Sequence, residues 1–388
     1  MAMERIMNPE VHYDLEWRNT WQPWRNWTQQ MAWRDSWDDA YQPESGVYRV
    51  VSSLEETMQL GEDTTHLKFS RFDEEFLSEA FKVLPKLPEL RWFGWTENAD
   101  WGEFGRVEPF YPARGCNRYF ELLFPPKAFR PLMATLQHSP KLETICLSGI
   151  HDHDVSLAEF AAFPKLQHII APWSTLFEEW EVRADCLRNV KEISIPSGMT
   201  CDPTFEFVAP LPSLEALDAR DGIYEVFSGA VLNPDENGVQ IVGRQTLDPL
   251  RHHPKLARLL LDGTPTECWI EMVNTLPALR YLSILRTAER DEELIGRLPL
   301  DRLTHLALGD NLIFPPPRMC DELLFEIARR SQLTWLSLAH ARISEAALVM
   351  LLHMRSLRYL AAPISSLSAD AESVLKERDD LKVEWVDW

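Results

Sequence analysis

A short frame, L-x-x-L-x-L, recurs along most of this chain and restricts it to folds made by stacking like units. Laid under one another, PELRWFGW (88–95), PKLETICL (140–147), PKLQHIIA (164–171), NVKEISI (189–195), PSLEALDA (212–219), PKLARLLL (254–261), PALRYLSI (277–284), RLTHLAL (302–308), QLTWLSL (332–338) and SLRYLAA (356–362) share it. The second apolar position falls at Phe93, Ile145, Ile169, Ile193, Leu217, Leu259, Leu282, Leu306, Leu336 and Leu360, with most intervals 23 or 24 residues. Weaker copies through Leu67 and Phe120 fill the gaps at intervals near 26. In a strand, alternate side chains point to opposite faces, so the leucines form one row and the x residues another. A unit of this size cannot bury its own apolar row, and stacking supplies the cover.

Between the strand patterns lie apolar helix patterns: EEFLSEAFKVL after Asp73, ECWIEMVNTL after Thr266, DELLFEIARR after Cys320 and EAALVMLLHM after Ser344. Asp73, Thr266 and Ser344 are natural N-caps, because a short side-chain oxygen can accept one of the orphan N–H groups of the first turn.

The frame resembles the leucine-rich-repeat superfamily. The best single match is LTHLALGDNLI (303–313), where Asn311 stands at the family's Asn position; Ile150, Thr264 and Ala341 stand there in other copies. The resemblance, of the ribonuclease-inhibitor type, covers residues 60–388. It implies an α/β fold: a right-handed solenoid of about 12 strand-helix repeats with a parallel sheet on its concave side. Insertions are expected near 97–115 and 222–248, the second a hairpin around Asn233 to Gly238, because Leu217 and Leu259 are 42 residues apart.

Residues 1–59 precede the repeats and carry EWRNTWQPWRNWTQQMAWRDSW (16–37), with six of the fifteen tryptophans. On a helical wheel Trp17, Trp21, Trp24, Trp27 and Met31 share one arc and Trp33 and Trp37 the opposite one. Two apolar faces suit burial between layers, so an N-terminal cap over an exposed first repeat near Leu67 is one reading. A second docking site is the other.

The x positions give a candidate surface. The third-position column runs His66, Trp92, Thr144, His168, Glu192, Ala216, Arg258, Tyr281, His305, Trp335, Tyr359. With strands spaced about 4.8 Å apart, its last four rings form a strip roughly 15 Å long. The fifth position beside it is mostly small: Gly94, Cys146, Ser194, Ser283, Ala307, Ser337, Ala361. Tyr281, His305, Trp335 and Tyr359 are therefore candidate partner-binding residues, since rigid aromatic area is favoured at interface hot spots. Asp218, Asp221, Asp262 and Asp310, interrupted by Arg220 and Arg286, predict a mixed, net acidic rim.

Sixty acidic against 39 basic residues leave a formal charge of -21. Polyanions are repelled by such a surface, so neither nucleic acid nor membrane is expected, whereas a partner basic at its contact is steered toward it. The six cysteines stand singly, which fits a reduced, cytoplasmic setting. No export signal or long apolar span is visible. GIHDHDVSLAEF (149–160) and His252-His253 carry ligand-type side chains, but at turn positions where repeats place polar residues, so no metal and no cofactor are expected. Catalytic motifs are absent from the sequence. The expectation is a non-enzymatic protein-binding module, in its sharpest form an inhibitor or toxin-immunity protein for a basic enzyme; a substrate adaptor or scaffold is the alternative. Oligomeric state is not legible.

Overall fold

The computed structural model describes residues 47–51, 53–69, 74–95, 129–147, 157–170, 187–194, 208–209, 211–219, 248–262, 267–285, 296–309, 319–330, 332–363 and 368–386. Two units divide the chain near residue 190. In the first, each repeat contributes one short strand and a helix: β1 (Tyr48–Val51), α1 (Leu54–Met58), β2 (His66–Phe69), α2 (Glu74–Val83), β3 (Trp92–Trp95), α3 (Phe129–Leu136), β4 (Thr144–Cys146), α4 (Leu157–Phe160) and β5 (His168–Ile170). Its strands pair in parallel and in sequence order. The second unit repeats the plan with β6 (Glu192–Ser194), β7 (Ala216–Ala219), β8 (Arg258–Asp262), α5 (Glu267–Thr275), β9 (Tyr281–Leu285), β10 (His305–Gly309), α6 (Asp321–Arg330), β11 (Trp335–His340), α7 (Glu345–Leu352), β12 (Tyr359–Pro363), α8 (Ala369–Lys376) and β13 (Lys382–Val386). Here too every pairing is parallel and sequential. Both are α/β solenoids of the leucine-rich-repeat type.

The register explains why the frame works. Leu67, Phe93, Ile145 and Ile169 lie side by side across β2 to β5. Ile193, Leu217, Leu259, Leu282, Leu306, Leu336 and Leu360 do so across β6 to β12. All eleven are wholly buried, and each contributes on the order of 1.5–3 kcal/mol relative to exposure. A second inner row, including Phe69, Ile284, Leu308 and Leu338, is equally buried. Helices stack on helices in the same order, α1 to α4 in one unit and α6 to α8 in the other. Their inward residues, such as Leu324, Ile327, Leu348 and Leu351, close the core.

Backbone groups at the strand entries are satisfied by a recurring fork. The carbonyl of Arg280 accepts from the N–H groups of Thr304 and His305, that of Thr304 from Thr334 and Trp335, and that of Thr334 from Arg358 and Tyr359, at 2.8–3.2 Å. Thr65, Arg91 and Glu143 do the same in the first unit. This ladder locks one repeat to the next at the start of each strand.

The four expected helices are present as α2, α5, α6 and α7. Ser344 caps α7, its Oγ accepting from the Ala347 N–H at 3.0 Å; Asp73 and Thr266 lie outside the described residues. So do the copy at Phe120, Asn311, and most of the two insertions. Each unit has one strand beyond the expected ones. Among the described residues the first unit starts at Tyr48, inside the 1–59 stretch and upstream of Leu67, with the inner-row position held by exposed Arg49 and with Val51 buried. The second unit continues past Tyr359 to β13, where Val383 pairs with Leu360. Arg378 closes that end by donating to the carbonyls of Leu352, Met354 and Leu357 at 2.5, 3.1 and 2.8 Å.

Candidate functional site

On the sheet face opposite the leucines, the third-position residues of the second unit are neighbours in the order Glu192, Ala216, Arg258, Tyr281, His305, Trp335, Tyr359, Lys382. The expected ring strip exists as a stack. Tyr281 and His305 lie 4.1 Å apart at 25°, His305 and Trp335 6.0 Å apart at 17°, and Trp335 and Tyr359 5.3 Å apart at 4°. Strand spacing sets this repeat, because each ring comes from the same position of consecutive parallel strands.

A cation closes each end. The Arg258 guanidinium sits 5.1 Å from the Tyr281 ring centre, and the Lys382 ammonium 5.6 Å from that of Tyr359, within the range of cation–π attraction. The Tyr359 hydroxyl donates to Glu384 Oε2. Arg258 was legible as a column member; Lys382 and Glu384 were not, because their repeat has Val383 where the frame asks for leucine. The interval from Leu360 to Val383, 23 residues, was the available signal.

Burial varies along the stack. Trp335 and Tyr359 keep only 4% and 5% exposure, Tyr281 and His305 are part-exposed, and Lys382 is exposed. The small floor residues Ser283, Ala307, Ser337 and Ala361 are buried. Burial, reinforced by the Arg258 charge, holds the His305 pKa down at about 4, so the imidazole is neutral at physiological pH. Thr304 Oγ1 lies 2.9 Å from its Nδ1 and orients the ring.

The first unit carries the same position differently. His66, buried, has Thr65 Oγ1 2.7 Å from Nδ1 and a pKa lowered to about 4 by burial and by Arg91. Beside it Trp92 lies down along its own strand: a Cβ at Gly94 would come within 2.0 Å of the indole. Thr144 and His168, next in the column, are joined Oγ1 to Nδ1 at 3.0 Å.

The acidic rim is only partly placed. Asp218 and Asp262 are on β7 and β8; Arg220, Asp221, Arg286 and Asp310 lie outside the described residues. His151 to Asp154 also lie outside them. His253 is buried and its pKa is lowered by that burial, which makes it a packing residue at the turn before β8. Among the described residues no group of three His, Cys, Asp or Glu side chains could hold a metal ion, and no helix is long and apolar enough to cross a membrane.

No family model and no curated protein matches the chain. Among solved structures it is similar to that of the TLR13-ssRNA13 complex, at 16% identity and a TM-score of 0.47, covering 89% of this chain and 45% of that one. It is also similar to the Rad7 and Elc1 complex from yeast, at 15% identity and a TM-score of 0.42, covering 83% of this chain and 76% of that one. A Bacteroides fragilis protein is similar at 10% identity and a TM-score of 0.29, over 86% and 69% of the two chains. The chain thus spans less than half the length of the TLR13 chain.

Proposed function

We infer that this chain is a non-enzymatic module that binds a protein through the Arg258-to-Lys382 column. The observation that carries the reading is the stack itself: four rings from four consecutive strands, closed by a cation at each end and bordered by small side chains. Such a column offers a pre-ordered surface, so a partner pays little of the side-chain entropy that binding normally costs. Rigid aromatic anchors are what protein hot spots use. Residues such as Glu384 and the overall charge of -21 favour a partner basic at its contact. The sharper form of the reading is an inhibitor or immunity protein that neutralises a basic enzyme.

A ring column also invites the thought of single-stranded nucleic acid, which the TLR13 complex contains. Nucleobases stack on ring faces, and here His305 and Trp335 have rings on both flats. The surviving edges and the net negative charge suit protein better.

The test is capture of partners by tagged full-length chain in its native cell, with mass spectrometry, beside a Tyr281→Ala/His305→Ala double variant. A basic protein that the double variant holds roughly 100-fold less tightly, at unchanged helicity, supports the reading. Partners retained equally by both, or a nucleic acid bound with a steep salt dependence, overturn it.

A further inference from the structure

Stacking uses the flats of a histidine ring and leaves its two nitrogens, at the edge, to decide what the ring recognises. Burial keeps His305 neutral, so the imidazole has a single N–H. Which nitrogen carries it fixes whether the other donates or accepts.

The preceding threonine supplies the answer. Thr304 Oγ1 lies 2.9 Å from His305 Nδ1 and 3.3 Å from the Arg280 carbonyl oxygen, and a hydroxyl has one hydrogen to give. That carbonyl already accepts from the N–H groups of Thr304 and His305 at 2.9 and 3.0 Å. Its two lone pairs are taken, and 3.3 Å is long for an O–H donor. The hydroxyl therefore donates to Nδ1, and the ring's own hydrogen sits on Nε2. The first unit repeats the arrangement. Thr65 Oγ1 accepts from the Val47 N–H at 2.8 Å and lies 2.7 Å from His66 Nδ1. The Val47 carbonyl, 3.2 Å away, again holds two N–H groups, those of Thr65 and His66. His168 too meets a threonine hydroxyl at Nδ1, that of Thr144 at 3.0 Å.

The two units part in how far the ring can be reached. His66 is buried, whereas His305 is part-exposed. Tyr281 and Trp335 cover the flats of His305 and Thr304 meets its Nδ1. Covalent geometry puts Nε2 at the tip of the ring, away from the backbone.

We propose that His305 is the specificity-determining residue of the column: Thr304 fixes its hydrogen on Nε2, and that N–H selects a partner protein that sets an oxygen acceptor, carbonyl or carboxylate, over the stack. The selection rests on the binding reading above; the place of the hydrogen does not. Thr304 acts through His305 and is a positioning residue. An imidazole without such a partner can exchange its hydrogen between nitrogens and would take either a donor or an acceptor. With the hydrogen fixed, a partner that brings a donor leaves two N–H groups facing each other, a mismatch that ring stacking alone would not reject.

Full-length chain carrying isotope-labelled histidine tests the hydrogen with no partner present. Long-range nitrogen–proton correlation spectra at neutral pH tell the two ring nitrogens apart, and the His305 signals are those lost in His305→Gln. The expected pattern is a protonated Nε2 and a bare Nδ1; a protonated Nδ1, or an even mixture, overturns the proposal. Thr304→Val should move the ring toward a mixture and Thr304→Ser should keep the parent pattern; a valine variant with the parent pattern overturns the part given to Thr304. If the valine variant fails to fold, the parent spectrum decides alone. Selection is read by capturing the partner from its native cell on full-length parent, His305→Gln and His305→Met chains. Glutamine brings an amide N–H near the place of Nε2, and methionine fills the space without a donor. The glutamine variant should hold the partner roughly 10-fold more tightly than the methionine variant; equal affinities overturn the selection. A difference that survives high salt marks a carbonyl, and one that salt removes marks a carboxylate. A parent chain that captures no partner sinks the binding reading, and the selection with it, while a protonated Nε2 would still stand.

Discussion

The third-position column is built twice, and the two versions place their aromatic residues differently. In the first unit the residue two places on from Trp92 is Gly94, and the indole lies down in the space a Cβ would fill. In the second unit Ser283, Ala307, Ser337 and Ala361 hold that place, and the rings stand and stack on each other across strands. Both versions contain a histidine oriented by the preceding threonine. The missing Cβ at Gly94 leaves room for Trp92 to lie along its own strand, next to Thr144 rather than another ring, whereas four consecutive rings over small side chains make a shared surface.

The largest expected effect comes from removing the centre of the stack. Trp335→Ala should cost about 3–5 kcal/mol in urea unfolding, because a nearly buried indole leaves a cavity and strips both neighbours of a ring face. A loss under about 1 kcal/mol would mean the rings are displayed rather than packed.

Acid should then reveal the two histidines. With His66 and His305 at about 4 in the fold and about 6.5 unfolded, protons bind the unfolded chain first. Stability is therefore full above pH 6.5, falls as pH drops toward 4, and changes little from these groups below that. For buried His66 the loss is at most about 3 kcal/mol. Thermal melts of His66→Gln between pH 7 and 4 should show a flatter decline than the parent; an identical slope would place the titration elsewhere.

Gly94→Ala breaks the comparison directly, by putting beside Trp92 the Cβ that Ser283, Ala307, Ser337 and Ala361 carry in the second unit. Its Cβ meets the Trp92 indole at 2.0 Å, so the ring must rise, at a cost of about 1–3 kcal/mol. In the Gly94→Ala/Trp92→Ala double variant, a coupling of about 1 kcal/mol or more in chemical denaturation is expected; strict additivity would refute the packing argument. The smallest effect belongs to Lys382→Ala. The ammonium is exposed and 5.6 Å from the Tyr359 ring, so about 0.5 kcal/mol is expected, measurable as a slight shift in urea midpoint.

Much of the fold was legible because a repeat places its core residues at one phase. Within each unit the apolar rulers sit side by side, Leu67 to Ile169 in the first and Ile193 to Leu360 in the second, and the column order read from the frame is the order of the strands. The ends were not legible. Arg49 replaces the apolar ruler in β1, at an interval of 18 residues from Leu67, and Val383 weakens it in β13. Among the described residues β1 and β13 each pair with one strand only, and a position covered from one side is under less demand for a leucine.

Periodicity alone determined the parallel strand order, the leucine core and which residues share a column, because these follow from side-chain alternation and one repeat length. Only the tertiary structure decided how the rings are used. Whether an aromatic residue lies along its strand or stacks across strands, how far a histidine is desolvated, and which rings keep an exposed edge depend on atoms brought close from other repeats. No single repeat carries that information, since each of these outcomes is set by the volume and charge of its neighbours.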